Sequence, residues 1–243
     1  MTFVIFQLFL LKYLCAMGNC NELHSTQLKD FNSLRQEDHL RLLEFSESIT
    51  LPKGTFVFEE NEPLSKLYCI KKGACKFSIT DAEGQEHILR FLGQGDVMGK
   101  RSLITHKGAR VTATTLMETE LCCLEKEELL KNLAQNRAFC RDFMYALIDD
   151  VNNDDNMRVQ FYMKGTIKEQ LAKLFLYLQQ KFGTDDEGKL KIKLKREDIA
   201  AVLGTSPEYI INLMKKFKTK KLIRARGSDV FILSKLGLDE IVG

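Results

Sequence analysis

The sequence predicts an α+β protein with an N-terminal β jelly roll, a long helix and a C-terminal winged helix-turn-helix. Three observations predict this order. Residues 44–125 alternate short β-branched or aromatic segments with glycine turns, a pattern typical of β sandwiches and jelly rolls. Beyond residue 125 the apolar residues recur at helical spacing. Around residue 204 a Gly-Thr-Ser-Pro turn separates two short helical segments, and a hairpin pattern follows.

Composition and charge indicate a globular protein with a polyanionic partner. The 243 residues are 44% hydrophobic and carry a net charge of +3, which excludes a disordered chain, a collagen-like fibre and a polytopic membrane protein. Residues 165–243 hold 16 basic and 10 acidic side chains, and residues 209–228 hold seven basic and no acidic ones. A basic C-terminal third favours a polyanion as partner. From charge alone, a solvated lysine-rich face is the alternative.

The N-terminal apolar run fits neither a membrane span nor a signal peptide. Residues 3–11 form an apolar run of nine that ends at Lys12, whereas a transmembrane helix needs about 20 residues. No basic leading region or small-x-small cleavage pattern accompanies the run. We expect the true start to be Met17 and residues 1–16 to be an upstream artefact or a frayed segment. A membrane anchor is the alternative.

The number and spacing of the cysteines and histidines predict that the thiols are reduced and that the protein is not an enzyme. Seven cysteines without a secretory signal indicate a cytoplasmic protein. No CxxC, HxH, HExxH, Ser-His-Asp or P-loop spacing occurs, so we expect no metal site and no catalytic residue, although jelly rolls also build metal-dependent dioxygenases. The residues concerned are Cys15, Cys20, Cys69, Cys75, Cys122, Cys123 and Cys140, and His24, His39, His87 and His106.

Glycine turns divide the N-terminal half into predicted strands. Each predicted strand is short and rich in β-branched or aromatic residues, as expected for antiparallel strands. The strands are residues 56–58, 67–70, 75–79 and 87–92, and the turns are residues 52–54, 71–73, 81–84 and 93–96.

Three helical segments follow the predicted strands. The second and longest covers residues 137–162, and its centre at 149–155 is rich in Asp and Asn. That centre is either solvated or a weakened dimer seam. The third helix ends at Gly183, because glycine closes helices readily. The apolar residues of the first and third helices are Leu129, Leu130 and Leu133, and Ile167, Leu171, Leu174, Leu178 and Phe182.

The C-terminal region predicts a strand, a helix-turn-helix and a wing. Residues 189–195 alternate strictly between lysine and apolar side chains, which predicts a strand with one basic face. After the first helix, Gly204 supplies a left-handed residue, Ser206 an N-cap and Pro207 the first helical position. The wing is predicted as strands 222–225 and 230–233 around a turn at 226–229.

The second helix of this motif has the chemistry of a major-groove reader. Glu208, Asn212 and Lys215 lie opposite its apolar face. Asn pairs with adenine, Glu accepts from cytosine and Lys contacts phosphate. A three-helix packing unit with a lysine-rich surface is the alternative. The residues predicted to contact double-stranded DNA are Lys195, Arg196, Thr205, Ser206, Pro207, Glu208, Asn212, Lys215, Lys216 and Arg226.

Several pieces of sequence occur together in an order typical of one family. They are Lys53-Gly54, Phe58-Glu59-Glu60, Lys72-Gly73, Asp81-x-x-Gly84-x-Glu86, Gly95-Asp96-x-x-Gly99 and the helix-turn-helix of 196–215. With them the chain, from about residue 20, resembles the Crp/Fnr superfamily of bacterial transcription regulators.

The resemblance implies a domain order and partners. An extension at 1–19 precedes a cyclic-nucleotide-binding-like effector domain at 20–135. A dimerisation helix and hinge at 136–163 lead to a Crp-type winged helix-turn-helix at 164–238. The family pattern further implies a homodimer that binds a palindromic operator and works with RNA polymerase, without a membrane partner.

The chain departs from the family pattern in the effector domain. Members that bind cyclic AMP carry Gly-Glu-Leu where this chain has Gly99-Lys100-Arg101, and a lysine cannot accept the ribose hydroxyl protons that the glutamate accepts. We therefore expect no binding of cyclic AMP in the usual way. A cationic pocket for another anion is one interpretation, and solvated loop cations are the other. The candidate pocket residues are Gly99, Lys100, Arg101, Ser102, Arg110 and Thr112.

Other effectors known in the family stay open as alternatives. An iron–sulfur cluster normally needs four thiolates, and only Cys15, Cys20 and Cys122 or Cys123 lie near the family's positions. Haem and a nucleotide are further candidates without a clear motif. A constitutive DNA binder without any effector is the remaining alternative.

The recognition helix also departs from the family pattern. Familiar members carry Arg four residues after the glutamate, where this chain has Asn212 after Glu208. Asn is too short to reproduce an Arg–guanine fork and favours adenine. The resemblance therefore implies an operator that keeps two-fold symmetry but loses the familiar G of each half-site.

Overall fold

The computed structural model describes residues 46–105, 107–158 and 165–243, with side chains described to residue 152 in the second range. The expectations for residues 1–45, including the start at Met17 and the ligands Cys15 and Cys20, lie outside the described residues. The last residues of the predicted long helix, 159–162, lie outside them as well.

The N-terminal half forms the predicted β sandwich. Two four-stranded antiparallel sheets have the orders β1-β8-β3-β6 and β2-β7-β4-β5, and most of their buried apolar side chains form one cluster. A short helix α1 (Lys100–Thr105) joins β6 to β7, and α2 (Lys126–Gln135) follows β8. The strands are β1 (Ser46–Leu51), β2 (Phe56–Phe58), β3 (Lys66–Lys72), β4 (Cys75–Thr80), β5 (Glu86–Leu92), β6 (Val97–Met98), β7 (Thr112–Thr115) and β8 (Thr119–Glu125).

The long helix α3 (Arg137–Arg158) is apolar on two faces. Phe139 and Phe143 are buried in the sandwich core, with ring centroids 6.0 Å apart. A second face, which we call the α3 stripe, is exposed to solvent. It consists of Met144 (56% exposed), Tyr145 (59%), Ile148 (52%) and Val151 (44%). Large apolar side chains in a contiguous exposed row are typical of an interaction surface.

The C-terminal domain is the predicted winged helix-turn-helix. A capping box of Thr166 and Glu169 begins α4, and Gly183 ends it. Phe175 of α4 packs edge-on against Phe217 in the core. Within the described ranges, no helix is long and apolar enough to cross a bilayer. The elements are α4 (Ile167–Phe182), α5 (Arg196–Leu203), α6 (Pro207–Thr219), β9 (Ile223–Arg226), β10 (Asp229–Ile232) and α7 (Lys235–Val242).

Residues 189–195 do not form the predicted strand. Their three apolar side chains are buried between exposed lysines, as the alternation predicts. Their backbone, however, makes only isolated bridges, Lys189 with Phe231 and Thr184 with Leu190. Alternation specifies which side chains are buried, but a strand also needs a neighbouring backbone along its length.

The two domains share one hydrophobic cluster and a buried ion pair. Ile88 and Phe91 of β5 belong to the same cluster as the core of the winged domain. Beside them, Lys76 Nζ lies 2.8 Å from Asp198 Oδ1 and 2.7 Å from Glu86 Oε2. Lys76 and Asp198 are only 9% and 8% exposed. The first helix of the helix-turn-helix is therefore attached to the sandwich.

Candidate functional site

The turn between α5 and α6 is built by local signals in the sequence. Gly204 adopts the left-handed conformation, with φ 58° and ψ 43°, which few other residues adopt without strain. Ser206 Oγ accepts a hydrogen bond of 3.3 Å from the backbone N–H of Tyr209. Pro207 is the first residue of α6, where its missing N–H leaves no bond unmade. The direction of α6 is thus fixed by the turn itself.

One face of α6 is fully available to a ligand. Glu208, Asn212, Lys215 and Lys216 are exposed. The apolar face is buried and consists of Ile210, Leu213, Met214 and Phe217. Predicted groove-reading residues therefore lie together on the surface, one helical turn apart.

Sequence reasoning missed two residues on this face. Tyr209 is 47% exposed and Ile211 is 40% exposed. Apolar side chains on a groove-reading surface suit contact with thymine methyl groups. Their exposure could have been predicted from the sequence, because both residues fall outside the i, i+4, i+7 row that packs into the core.

The remaining predicted DNA contacts surround α6, with one exception. Lys195 and Arg226 are exposed, and Thr205 is half-buried in the turn. Arg196 instead donates from Nη2 to the wing carbonyl of Gly227 at 2.7 Å. Burial lowers the pKa of Arg196, while Glu197 opposes that shift. Arg196 therefore ties the wing turn to the start of α5.

The predicted effector pocket is organised around Lys100. This residue begins α1 directly after Gly99, which has a φ of 92°, and only 5% of it is exposed. Lys100 Nζ lies 2.9 Å from Asp150 Oδ2 of α3. Arg90 of β5 donates to the other oxygen of the same carboxylate at 2.9 Å. Lys100 is therefore no solvated loop cation.

Arg90 and Asp150 were not identified from the sequence. Asp150 lies in the Asp- and Asn-rich centre of the long helix, which was interpreted as solvated or as a weakened dimer seam. The structure shows that Asp150 faces the sandwich, with 19% of its side chain exposed. The only indication of this pairing in the sequence was the unusual run of acidic residues in the helix.

The other predicted pocket residues make contacts within the chain. Ser102 Oγ lies 3.5 Å from the carbonyl oxygen of Gly108, and Thr112 Oγ1 accepts from the Glu60 N–H at 3.1 Å. Arg101 is half-buried and Arg110 is exposed. The cations of this segment thus face different environments, and Lys100 is joined to α3 by an ion pair.

Apart from Cys140 on α3, the cysteines of the described ranges and His87 lie on strands of the sandwich. Cys122 and Cys123 are buried in β8. Burial raises the pKa of Cys75 to about 12, against a hydrogen bond to Thr119 that lowers it. His87 Nε2 lies 2.6 Å from Asp81 Oδ2. Among the described residues, no three His, Cys, Asp or Glu side chains come close enough to hold a metal ion.

Two family models match the two domains. A cyclic nucleotide-binding domain matches residues 48–136, and a Crp-like helix-turn-helix domain matches residues 169–241. The first match contains the sandwich from β2 to α2, and the second contains the α5–α6 motif and the wing.

Individual proteins show the same two-domain likeness. The chain is 27% identical over 186 residues to the CRP-like cAMP-activated global transcriptional regulator of Mycobacterium tuberculosis, covering 76% of this chain and 83% of the relative. It is 28% identical over 196 residues to the transcriptional activator protein anr of Pseudomonas aeruginosa, covering 79% of each. FixK2 from Bradyrhizobium japonicum has a TM-score of 0.72 at 18% identity, covering 82% of this chain and 98% of that one. This last likeness shows the fold.

Proposed function

The chain belongs to the Crp/Fnr family of DNA-binding transcription regulators. On this premise we propose that the protein is a dimeric, sequence-specific regulator whose effector domain does not bind cyclic AMP in the usual way. The observation that carries the proposal is the exposed polar and basic face of α6, held in place by the Gly204 turn. In this proposal residues 20–135 are the effector domain, 136–163 the dimerisation helix and hinge, and 164–238 the reading domain. We place the protein in the cytoplasm, with RNA polymerase as its partner at promoters.

The reading domain docks with α6 in the major groove. Glu208 and Asn212 lie one turn apart near the start of α6 and face base edges. Lys215 and Lys216, further along α6, contact DNA phosphates. Arg226 on the wing contacts the adjacent part of the DNA backbone. This division of labour is usual for winged helix-turn-helix proteins, since phosphate contacts position the protein and base contacts specify the sequence.

The α3 stripe supports the homodimer. Its four apolar side chains are 44–59% exposed, and a cavity of about 360 Å³ opens beside Tyr145 and Ile148. A second copy of α3 packed against the stripe removes this apolar surface from water. A two-fold axis along α3 then presents two α6 helices to a palindromic operator.

The pairing of Lys100 supports the proposal that cyclic AMP is not the effector. The ammonium group is buried against Asp150, and it has no lone pair with which to accept ribose hydroxyl protons. Activation by cAMP is stated for the relative from Mycobacterium tuberculosis. A constitutive DNA binder is the second candidate, since Lys100 is already paired with a carboxylate of its own chain.

Selection from random-sequence DNA tests the proposed function. We expect the purified protein to enrich a two-fold symmetric site whose half-sites lack the G read by an Arg–guanine fork, because Asn212 prefers adenine. Enrichment of a TGTGA-like half-site contradicts the expected operator. Failure to enrich any sequence contradicts sequence-specific binding itself.

Two substitutions on α6 separate base reading from phosphate binding. Asn212→Ala is expected to weaken operator binding by about 1–3 kcal/mol and to relax the preference at one base position. Lys215→Ala is expected to weaken binding to all DNA sequences alike. It is also expected to lower by about 1 the slope of the logarithm of DNA affinity against the logarithm of salt concentration. Competition binding against a panel of single-base operator variants measures both effects. Equal relaxation of specificity by the two variants contradicts these roles.

A further inference from the structure

Two cysteines lie opposite each other on neighbouring strands of the sandwich. Cys69 of β3 is the direct antiparallel partner of Cys122 of β8, and both residues are thiols in this structure. Ile70, the residue after Cys69, has its backbone bonded to the β5–β6 turn, because its N–H donates to Asp96 and its carbonyl accepts from Gly95. Successive residues of a strand direct their backbone groups to opposite sides. The backbone of Cys69 is therefore directed at β8.

This pairing brings the two thiols within reach of a disulfide. The α-carbons of a hydrogen-bonded antiparallel pair lie about 5.5 Å apart, and those of disulfide-bonded cysteines lie about 4.4–6.8 Å apart. The β-carbons of opposed residues are about 4.5–5.5 Å apart and need to approach by about 1 Å to reach the usual disulfide range. Cys69 and Cys122 can thus be joined with little movement of the backbone.

The pair lies on the outer face of its sheet. Tyr68, the residue before Cys69, packs on Phe58 of the other sheet with ring centroids 5.8 Å apart. Tyr68 and its strand partner Cys123 therefore face the interior of the sandwich. Because side chains alternate along a strand, Cys69 and Cys122 project from the opposite face. Cys123 is thus directed away from the pair, although it is adjacent to Cys122 in the sequence.

The pair is closest to solvent at one edge of the sheet. The strand order β1-β8-β3-β6 puts β1 at the edge, and the exposed residue Ser48 of β1 lies directly opposite Cys122. Cys122 and Cys69 are 9% and 6% exposed, against 2% for Cys123 and 0% for Cys75. Cys122, beside Ser48, is therefore the thiol of the pair that a small oxidant reaches first.

We propose that Cys69 and Cys122 are a redox-active dithiol that hydrogen peroxide converts reversibly into a disulfide within the chain. The Cys122 thiolate attacks one peroxide oxygen and the O–O bond breaks, which leaves a sulfenic acid and one water that takes up the thiol proton. The Cys69 thiol then attacks the Cys122 sulfur, so that the S–S bond forms, the S–O bond breaks and a second water leaves.

This reaction balances without a further reactant. The two sulfur atoms together lose two electrons, which the peroxide accepts, and exchange with a reduced dithiol restores both thiols. The modification site goes beyond the proposed function and does not depend on DNA binding, so failure to find an operator leaves its test unchanged.

Mass spectrometry of the full-length protein tests the proposal. The reduced protein is freed of reductant under nitrogen, treated with hydrogen peroxide while folded, alkylated with iodoacetamide and digested with trypsin without reduction. We expect a cross-linked peptide pair that contains Cys69 and Cys122 and is two hydrogen atoms lighter than the separate peptides. Dithiothreitol added before alkylation is expected to abolish this cross-link. Circular dichroism before and after oxidation verifies that the protein is folded.

Single substitutions identify the two sulfur atoms. Cys69→Ala and Cys122→Ala are each expected to abolish the cross-link. Cys123→Ala is the matched control, because it removes the neighbouring thiol from the opposite face of the same strand. This variant is expected to form the Cys69–Cys122 cross-link at the wild-type rate.

The proposal is overturned if the folded wild type forms no Cys69–Cys122 cross-link with peroxide. It is also overturned if Cys122 is linked instead to Cys123 or to another cysteine of the chain. A loss of the cross-link in folded Cys123→Ala, as complete as in Cys69→Ala, would equally contradict the assignment of the pair.

Discussion

Lys76→Ala is expected to lower the free energy of unfolding by about 3–5 kcal/mol, the usual cost of breaking a buried ion pair from one side. The lysine holds Asp198 at 2.8 Å and Glu86 at 2.7 Å, and its removal leaves the buried Asp198 carboxylate without its cation. Burial lowers the pKa of Lys76, but the hydrogen bonds to Asp198 and Glu86 outweigh it and raise that pKa. Urea denaturation followed by circular dichroism measures the change.

Lys66→Ala is the matched control for this substitution. Lys66 also holds two carboxylates, Glu47 at 2.9 Å and Glu125 at 3.2 Å, but all three side chains are at the surface of the sandwich. Exposed pairs contribute only about 0.2–1 kcal/mol. If Lys66→Ala and Lys76→Ala lower the free energy of unfolding by similar amounts, burial of the Lys76–Asp198 pair does not determine its contribution to stability.

Ile148→Glu is expected to yield a monomer and to weaken operator binding by about 10²–10⁴-fold, the advantage that linking two binding modules provides. The substitution places a carboxylate at the centre of the α3 stripe, where dimer formation would bury it without a partner. Sedimentation equilibrium measures the association, and fluorescence anisotropy measures the operator affinity.

Asp149→Lys provides the comparison for the dimer prediction. Residue 149 is exposed and lies beside the stripe, so the substitution changes charge on the same helical turn without entering the apolar row. We expect this variant to remain dimeric. A dimeric Ile148→Glu protein, or a monomeric wild type, would contradict the assignment of the stripe as the dimer interface.

Features encoded by neighbouring residues could be predicted from the sequence. The turn at Gly204, the cap at Ser206 and the end of α4 at Gly183 depend on backbone conformation within a few residues, and all three are confirmed. The alternation at 189–195 predicts burial correctly but not the hydrogen bonding, because bonding depends on a distant strand. Local patterns thus specify elements and their faces.

Contacts between distant residues could not be predicted in the same way. Lys76 and Asp198 are 122 residues apart, and Arg90 and Asp150 are 60 residues apart. Each pair meets only because helices pack on one sheet of the sandwich in a particular rotation, which periodicity does not specify. The acidic run at 149–155 indicated an unusual helix but did not indicate which residues pair with Asp150.

The bond from Arg196 to the wing carbonyl of Gly227 has a consequence for operator choice. It joins the wing turn to the start of α5, at 2.7 Å, so in the proposed docking the wing and the helix-turn-helix contact the duplex in a fixed relation to each other. When this arrangement does not match straight B-form DNA, the duplex must bend to it. Base steps that bend easily, such as TA and CA/TG, then gain an advantage at positions that no side chain touches.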